Sequence, residues 1–317
     1  MSTIKKKIKL LDPMRDGKGV EKGEDTTPNL KRFFKLWGRK FWKLISLNLF
    51  MVVQILPLIG CIFLYLGGPK VSTQYDPLYN VLLGAQTTMP TTVGITLFNS
   101  AAGLLHQTPV FNSWAHWVMG GLILFHLVTY GWQKVGTTYI MRNLVRGDGV
   151  FMFSDYFYAI KRNWKQGLIM GILDSAVIFA LGFDIVYFWN APTTGGNNFM
   201  YIMIFALILI YAIMRFYTYL MLVTFDIKLS KLMKNALIFT VMGIKRNLMA
   251  LIGIILLSGV FIALIFFFGQ YLPALIILPF LCLLGFCGFM YTFAAYPVIE
   301  KYMIQPIEPK PAPDEEP

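Results

Sequence analysis

The chain has 317 residues, of which 56% are hydrophobic and only 14% charged. Soluble domains carry about 25% charged residues, and the apolar residues here fall in long blocks, which excludes an ordinary soluble core. The net charge of +12 reads as basic loops beside a membrane and not as a nucleic-acid surface.

The first segment, Met1 to Leu11, is basic but lacks a signal-peptide cleavage pattern, so the membrane segments themselves are expected to direct insertion. Residues 1–40 form a basic arm whose first part, rich in Lys, Gly, Asp and Thr, reads as flexible. A spanning helix needs about 20 mainly apolar residues. Six stretches qualify within 41–298: Phe41–Leu66, Trp114–Trp132, Gly167–Trp189, Phe199–Thr224, Leu248–Phe268 and Pro273–Tyr296. A long loop, 67–113, separates the first two. Gly269, Gln270, Tyr271 and Pro273 break the last apolar run into a hairpin. The tail is 299–317, and from Gln305 its Pro and acidic residues read as disordered.

Lys and Arg placement sets the orientation. Lys31, Arg32, Lys35, Arg39, Lys40 and Lys43 lie in the N-terminal arm and at the very start of the first span. Lys134, Arg142, Arg146, Lys161, Arg162 and Lys165 follow the second, and Lys228, Lys231, Lys234, Lys245 and Arg246 follow the fourth. The alternate loops hold only Lys70. Both termini are therefore expected in the cytoplasm. The seven tryptophans fall at predicted helix ends and none at a span centre, as interfacial residues should.

Two cytoplasmic segments look helical and amphipathic. Ser154 and Asp155 make an N-cap for Tyr156 to Lys165, with Phe157, Ile160 and Trp164 on one face. Ile227 to Asn247 repeats the idea with Lys228, Lys231 and Lys234. Ile160-Lys161-Arg162-Asn163 recurs as Ile244-Lys245-Arg246-Asn247, each copy expected to end a cytoplasmic helix. That arrangement predicts a parallel repeat. Such helices lie at an anionic inner leaflet or dock a partner. The docking candidates are Asp155, Lys161, Arg162, Asn163, Lys245, Arg246 and Asn247.

Catalytic signals are weak. His106, His116 and His126 lack ligand spacing, and Cys61, Cys282 and Cys287 lie in apolar runs without a CxxC pattern. No Walker, GxSxG or SxxK motif occurs. Neither a cofactor nor a metal is expected, and the chain does not read as an enzyme. Thr91-Thr92-Val93-Gly94-Ile95 resembles a potassium-filter run, but a filter needs four such loops around one axis. Ionisable residues inside spans suggest function by default. Asp174 and Asp184 lie on the third span and Arg215 on the fourth. The third and fourth spans are antiparallel neighbours, so Asp174 and Arg215 are expected at matched depth as an intramembrane ion pair.

Three stretches carry a family likeness: Gly17-Lys18-Gly19-Val20, Phe41 to Gly60 (FWKLISLNLFMVVQILPLIG) and Gly136 to Gln166 (GTTYIMRNLVRGDGVFMFSDYFYAIKRNWKQ). In these the chain resembles the YesL family of bacterial integral membrane proteins. The long loop from Gly67 to Ser113 departs from that family's quick passage between the first two spans. The resemblance implies a cell-membrane protein associated with carbohydrate-uptake and sensor components. The expected fold is all-α, a polytopic membrane protein with about six transmembrane helices and cytoplasmic amphipathic helices. The expected function is a non-enzymatic accessory or assembly component, linked to carbohydrate uptake through the family resemblance, with a small-solute transporter or channel as the alternative. Its partners would be the lipid bilayer and a membrane transport complex or sensor protein.

Overall fold

The computed structural model describes residues 27–67, 70–72, 107–109, 113–269, 275 and 277–306. Among these the chain is all-α apart from two short strands. The helices are α1 (Leu30–Gly67), α2 (Ser113–Arg146), α3 (Met152–Arg162), α4 (Trp164–Asn190), α5 (Gly195–Leu222), α6 (Leu229–Met242), α7 (Ile244–Phe268) and α8 (Leu278–Ile299). A π-helical turn, Glu300–Ile304, prolongs α8. Strands β1 (Lys70–Ser72) and β2 (Gln107–Pro109) pair antiparallel, with Val71 opposite Thr108. They tie the two ends of the long loop together. The filter-like run at Thr91 to Ile95 and His106 lie outside the described residues.

Five helices are long and apolar enough to cross a membrane: α1, α4, α5, α7 and α8 with its π turn. The remaining predicted span, Trp114–Trp132, is the first half of α2. That helix is long enough at 34 residues, but it carries His116, His126, Gln133 and Lys134. Its position explains how it tolerates them. α2 packs against α1, α4, α5 and α8, so its second half meets protein in place of lipid. The arm boundary expected near residue 40 falls inside α1, which already starts at Leu30. A helix that leaves the bilayer keeps its own backbone hydrogen bonds, so its end need not coincide with the end of its apolar run.

The buried core lies towards one end of the bundle. Leu44, Leu47, Ile140, Met141, Met170, Leu220, Met221 and Phe289 are all fully enclosed. At the other end Phe63, Leu124, Phe179, Phe205 and Phe267 stand exposed, a surface that suits lipid rather than water. The core end gathers the basic residues. Lys40 Nζ donates to the Asp148 carbonyl at 3.4 Å, and Lys43 Nζ to the Val150 carbonyl at 3.2 Å. These bonds hold the turn between α2 and α3, where Gly147 takes φ 91°, a conformation that L side chains rarely adopt. Arg142 Nη1 donates to the Val223 carbonyl at 3.0 Å, satisfying the C-terminal end of α5 with a cation. Arg246 Nη2 reaches the Pro28 carbonyl at 3.5 Å, and Phe239 stacks on Tyr302. The starts of α1, α4 and α7 therefore share one end with the finishes of α2, α5 and α8. Both ends of the described chain lie there.

Glycines permit the closest helix contact. Gly131 of α2 meets Gly167 and Gly171 of α4 backbone to backbone, and a Cβ on Gly131 would strike the Gly167 carbonyl oxygen. Small residues at such crossings let helices pack without a hydrophobic driving force.

Candidate functional site

The most enclosed charge of the bundle is Asp174 on α4, fully buried. It lies ten residues past Trp164, or roughly 15 Å along the helix axis at 1.5 Å per residue. Arg215 on α5 places Nε 2.6 Å from Asp174 Oδ1. The structure thus brings the two sequence-selected residues together. Tyr211 Oη donates to Asp174 Oδ1 at 2.8 Å, and Tyr219 Oη donates to Asp174 Oδ2 at 3.0 Å. Arg215 Nη2 donates to the Tyr130 hydroxyl of α2. Lys134, one turn further along α2, holds Nζ 5.6 Å from the centre of the Tyr130 ring.

Helical spacing builds this cluster. Tyr211, Arg215 and Tyr219 recur every four residues, so they line one stripe of α5. Tyr130 and Lys134 do the same on α2. The tyrosines and Lys134 were not singled out from the sequence, although the four-residue period around Arg215 is visible there. Asp184 lies ten residues beyond Asp174 on α4 and is not part of the cluster. Chemically, the carboxylate is offset by a guanidinium charge and accepts from two phenol donors, one on each oxygen. Such an arrangement holds α2, α4 and α5 in register.

The docking candidates separate into two kinds. Lys161, Arg162 and Lys245 are exposed, and Arg246 is half-buried. Asp155, by contrast, accepts a hydrogen bond from the Phe151 backbone N–H at 2.9 Å. It therefore stabilises the start of α3. The expected cap at Ser154 is corrected: α3 begins at Met152 and Ser154 lies in its first turn. Asn163 Nδ2 donates to the Ala159 carbonyl at 3.0 Å. Asn247 is buried, donating to the Thr240 carbonyl at 3.0 Å and accepting from Tyr217 Oη at 2.8 Å. Both asparagines stabilise helix breaks, and Asn247, with both amide atoms engaged, is enclosed.

The repeat also shifts. The first Ile-Lys-Arg-Asn copy ends α3 and breaks at Asn163, whereas the second opens α7 after a break at Gly243. The expectation that both copies end a cytoplasmic helix is therefore wrong for the second. The broader unit persists. α3 passes to α4, and α6 to α7, through a single non-helical residue. Both later helices begin near the C-terminal part of α5: Gln166 Nε2 donates to the Ile227 carbonyl at 3.4 Å, and Asn247 holds Tyr217. Gly243 is tightly enclosed there by the Tyr217 hydroxyl, which explains a glycine at that break.

Two of the histidines can be placed. His126 Nδ1 lies 3.0 Å from the Gln54 carbonyl and 3.3 Å from Gln54 Nε2, linking α2 to α1. His116 lies near the start of α2. Among the described residues no group of three His, Cys, Asp or Glu side chains could hold a metal ion.

The bundle and its enclosed ionic cluster define a polytopic α-helical membrane protein. No family model, curated protein or solved structure matches the chain.

Proposed function

We propose that this protein is a non-enzymatic accessory or assembly component of the bacterial cell membrane, with both termini cytoplasmic and a link to carbohydrate uptake. The observation that carries the reading is α3. It exposes Phe153, Phe157 and Tyr158 beside Lys161 and Arg162, while its Ala159 faces the core. An aromatic and basic helix at the basic end suits a partner held at the inner membrane surface. The Asp174 cluster supports a scaffold role, because its polar groups are directed at one another. The YesL likeness supplies the expected partner class, a carbohydrate-uptake complex or a sensor protein. Pull-down of the tagged full chain from native membrane tests this. A transport complex or sensor should co-purify with the wild type and be lost from a Lys161→Glu, Arg162→Glu variant.

A second reading, a small-solute transporter or channel, draws on the Asp174–Arg215 ion pair within the bundle, with Lys134 over the neighbouring Tyr130 ring. Ionisable groups at such depth commonly mark solute paths. Solute flux through vesicles holding only this protein, together with a pull-down free of partners, would favour it.

A further inference from the structure

At the basic end two cavities meet. The first, about 460 Å³, is a groove between α1, α7 and α8, floored by Phe33, Phe34, Met249, Gly253, Met290 and Phe293. The second, about 510 Å³, carries the charged side chains Lys245, Arg246, Glu300 and Lys301 in a mixed lining. Pro28 and Arg246 line both, so the cavities adjoin at the Arg246 side chain. Each falls within the ~300–1,000 Å³ typical of ligand pockets.

Their chemistry is ordered along the bundle. The apolar part runs beside α7, a helix apolar enough to cross a membrane. The charged part lies where α7 begins and α8 ends, and sets three cations against one carboxylate. Its lysines, Lys245 and Lys301, are exposed, and Lys301 Nζ lies 5.3 Å from the centre of the Tyr302 ring, which also lines the cavity. We infer that this composite cavity is a binding site for one anionic phospholipid from the leaflet that meets the basic end. An acyl chain occupies the groove under Phe33 and Met290, and the phosphate sits among Lys245, Arg246 and Lys301. Charge complementarity selects an anionic headgroup over a zwitterionic one, since a quaternary ammonium would bring a further positive charge to a site already in cationic excess. The inference rests on the membrane reading of the chain and not on its accessory role, so a partner-free pull-down would leave it standing.

Native mass spectrometry of the full chain in detergent tests it, with phosphatidylglycerol, phosphatidylcholine and inorganic phosphate supplied in separate arms. One phosphatidylglycerol should be retained, phosphatidylcholine should not, and phosphate alone should not bind comparably. Arg246→Gln with Lys301→Gln should lower retention by about fivefold per cation removed, while Lys231→Gln, a basic change on α6, should not. Gly253→Leu, which fills the groove without altering charge, should also lower retention and serves if the charge variant fails to fold. Loss of retention in neither variant, equal retention of phosphatidylcholine, comparable binding of free phosphate, or no retained lipid at all would overturn the site.

Discussion

Asp174 is held by donors of unequal kind, and their removal should differ accordingly. Asp174→Asn takes the counter-charge from Arg215, whose Nε lies 2.6 Å away. Breaking a buried ion pair by removing one partner costs roughly 3–5 kcal/mol. Tyr219→Phe removes one neutral donor, for which roughly 1 kcal/mol is expected. Adding Arg215→Gln to Asp174→Asn should restore part of the loss, because no isolated charge then remains. Reversible unfolding in mixed micelles would measure these variants beside the wild type and Arg215→Gln alone, which completes the cycle. Purely additive losses would show that the pair is not coupled. A second residue prediction concerns Tyr156 of α3, wedged against Gly136 and Phe50. Burial pushes its phenol up from 10.0 to about 12. The folded chain therefore holds this proton more tightly than the unfolded chain. That contribution to stability is complete below pH 10.0 and lost as pH rises through about 12. Tyr156→Phe should make the alkaline decline shallower across that window, as followed by thermal melts at stepped pH.

Among elements, the α2–α4 crossing is the most demanding sterically. Gly171 on α4 presses its backbone against Gly131 of α2, while Gly182 on the same helix has open space around it. Gly171→Leu should force the helices apart and destabilise the bundle by at least about 1–3 kcal/mol, the usual cost of overpacking. Gly182→Leu should be nearly neutral or slightly stabilising, because leucine is the better helix former. Thermal midpoints of the two variants in detergent make the comparison, and equal losses would mean that the crossing is not limiting. Helix boundaries show where sequence reasoning stopped. The run from Leu248 to Phe268 is apolar throughout, and its helical state was plain. Its true start at Ile244 depends on Gly243 fitting beneath Tyr217, a contact between residues far apart in the chain. The start of α3 at Met152 likewise depends on Asp155 reaching back to the Phe151 N–H in place of a cap at Ser154.

For the whole molecule, sidedness follows from the cations gathered at one end. In a background lacking Cys61, Cys282 and Cys287, Thr193→Cys, between α4 and α5, should react with an impermeant thiol reagent in intact cells. Lys231→Cys, on α6, should react only after the membrane is opened. The reverse pattern would place the basic end outside. Hydropathy alone determined that this chain is helical and polytopic, because lipid contact imposes an apolar composition that each spanning segment must carry locally. The Lys and Arg alternation likewise placed the loops on two sides without reference to packing. Asp174 and Arg215 could be matched in depth from residue counts, since rise per residue is constant. Tertiary structure decided what depth cannot: which helix faces meet. It alone brought Tyr130, Tyr211 and Tyr219 into the cluster, and let α2 carry Gln133 and Lys134 among its neighbours. It also turned Asn247 inward and bent Asn163 back onto its own helix. Rotation of a helix about its axis is set by close contacts with other helices, and those contacts are made between residues that no local pattern connects.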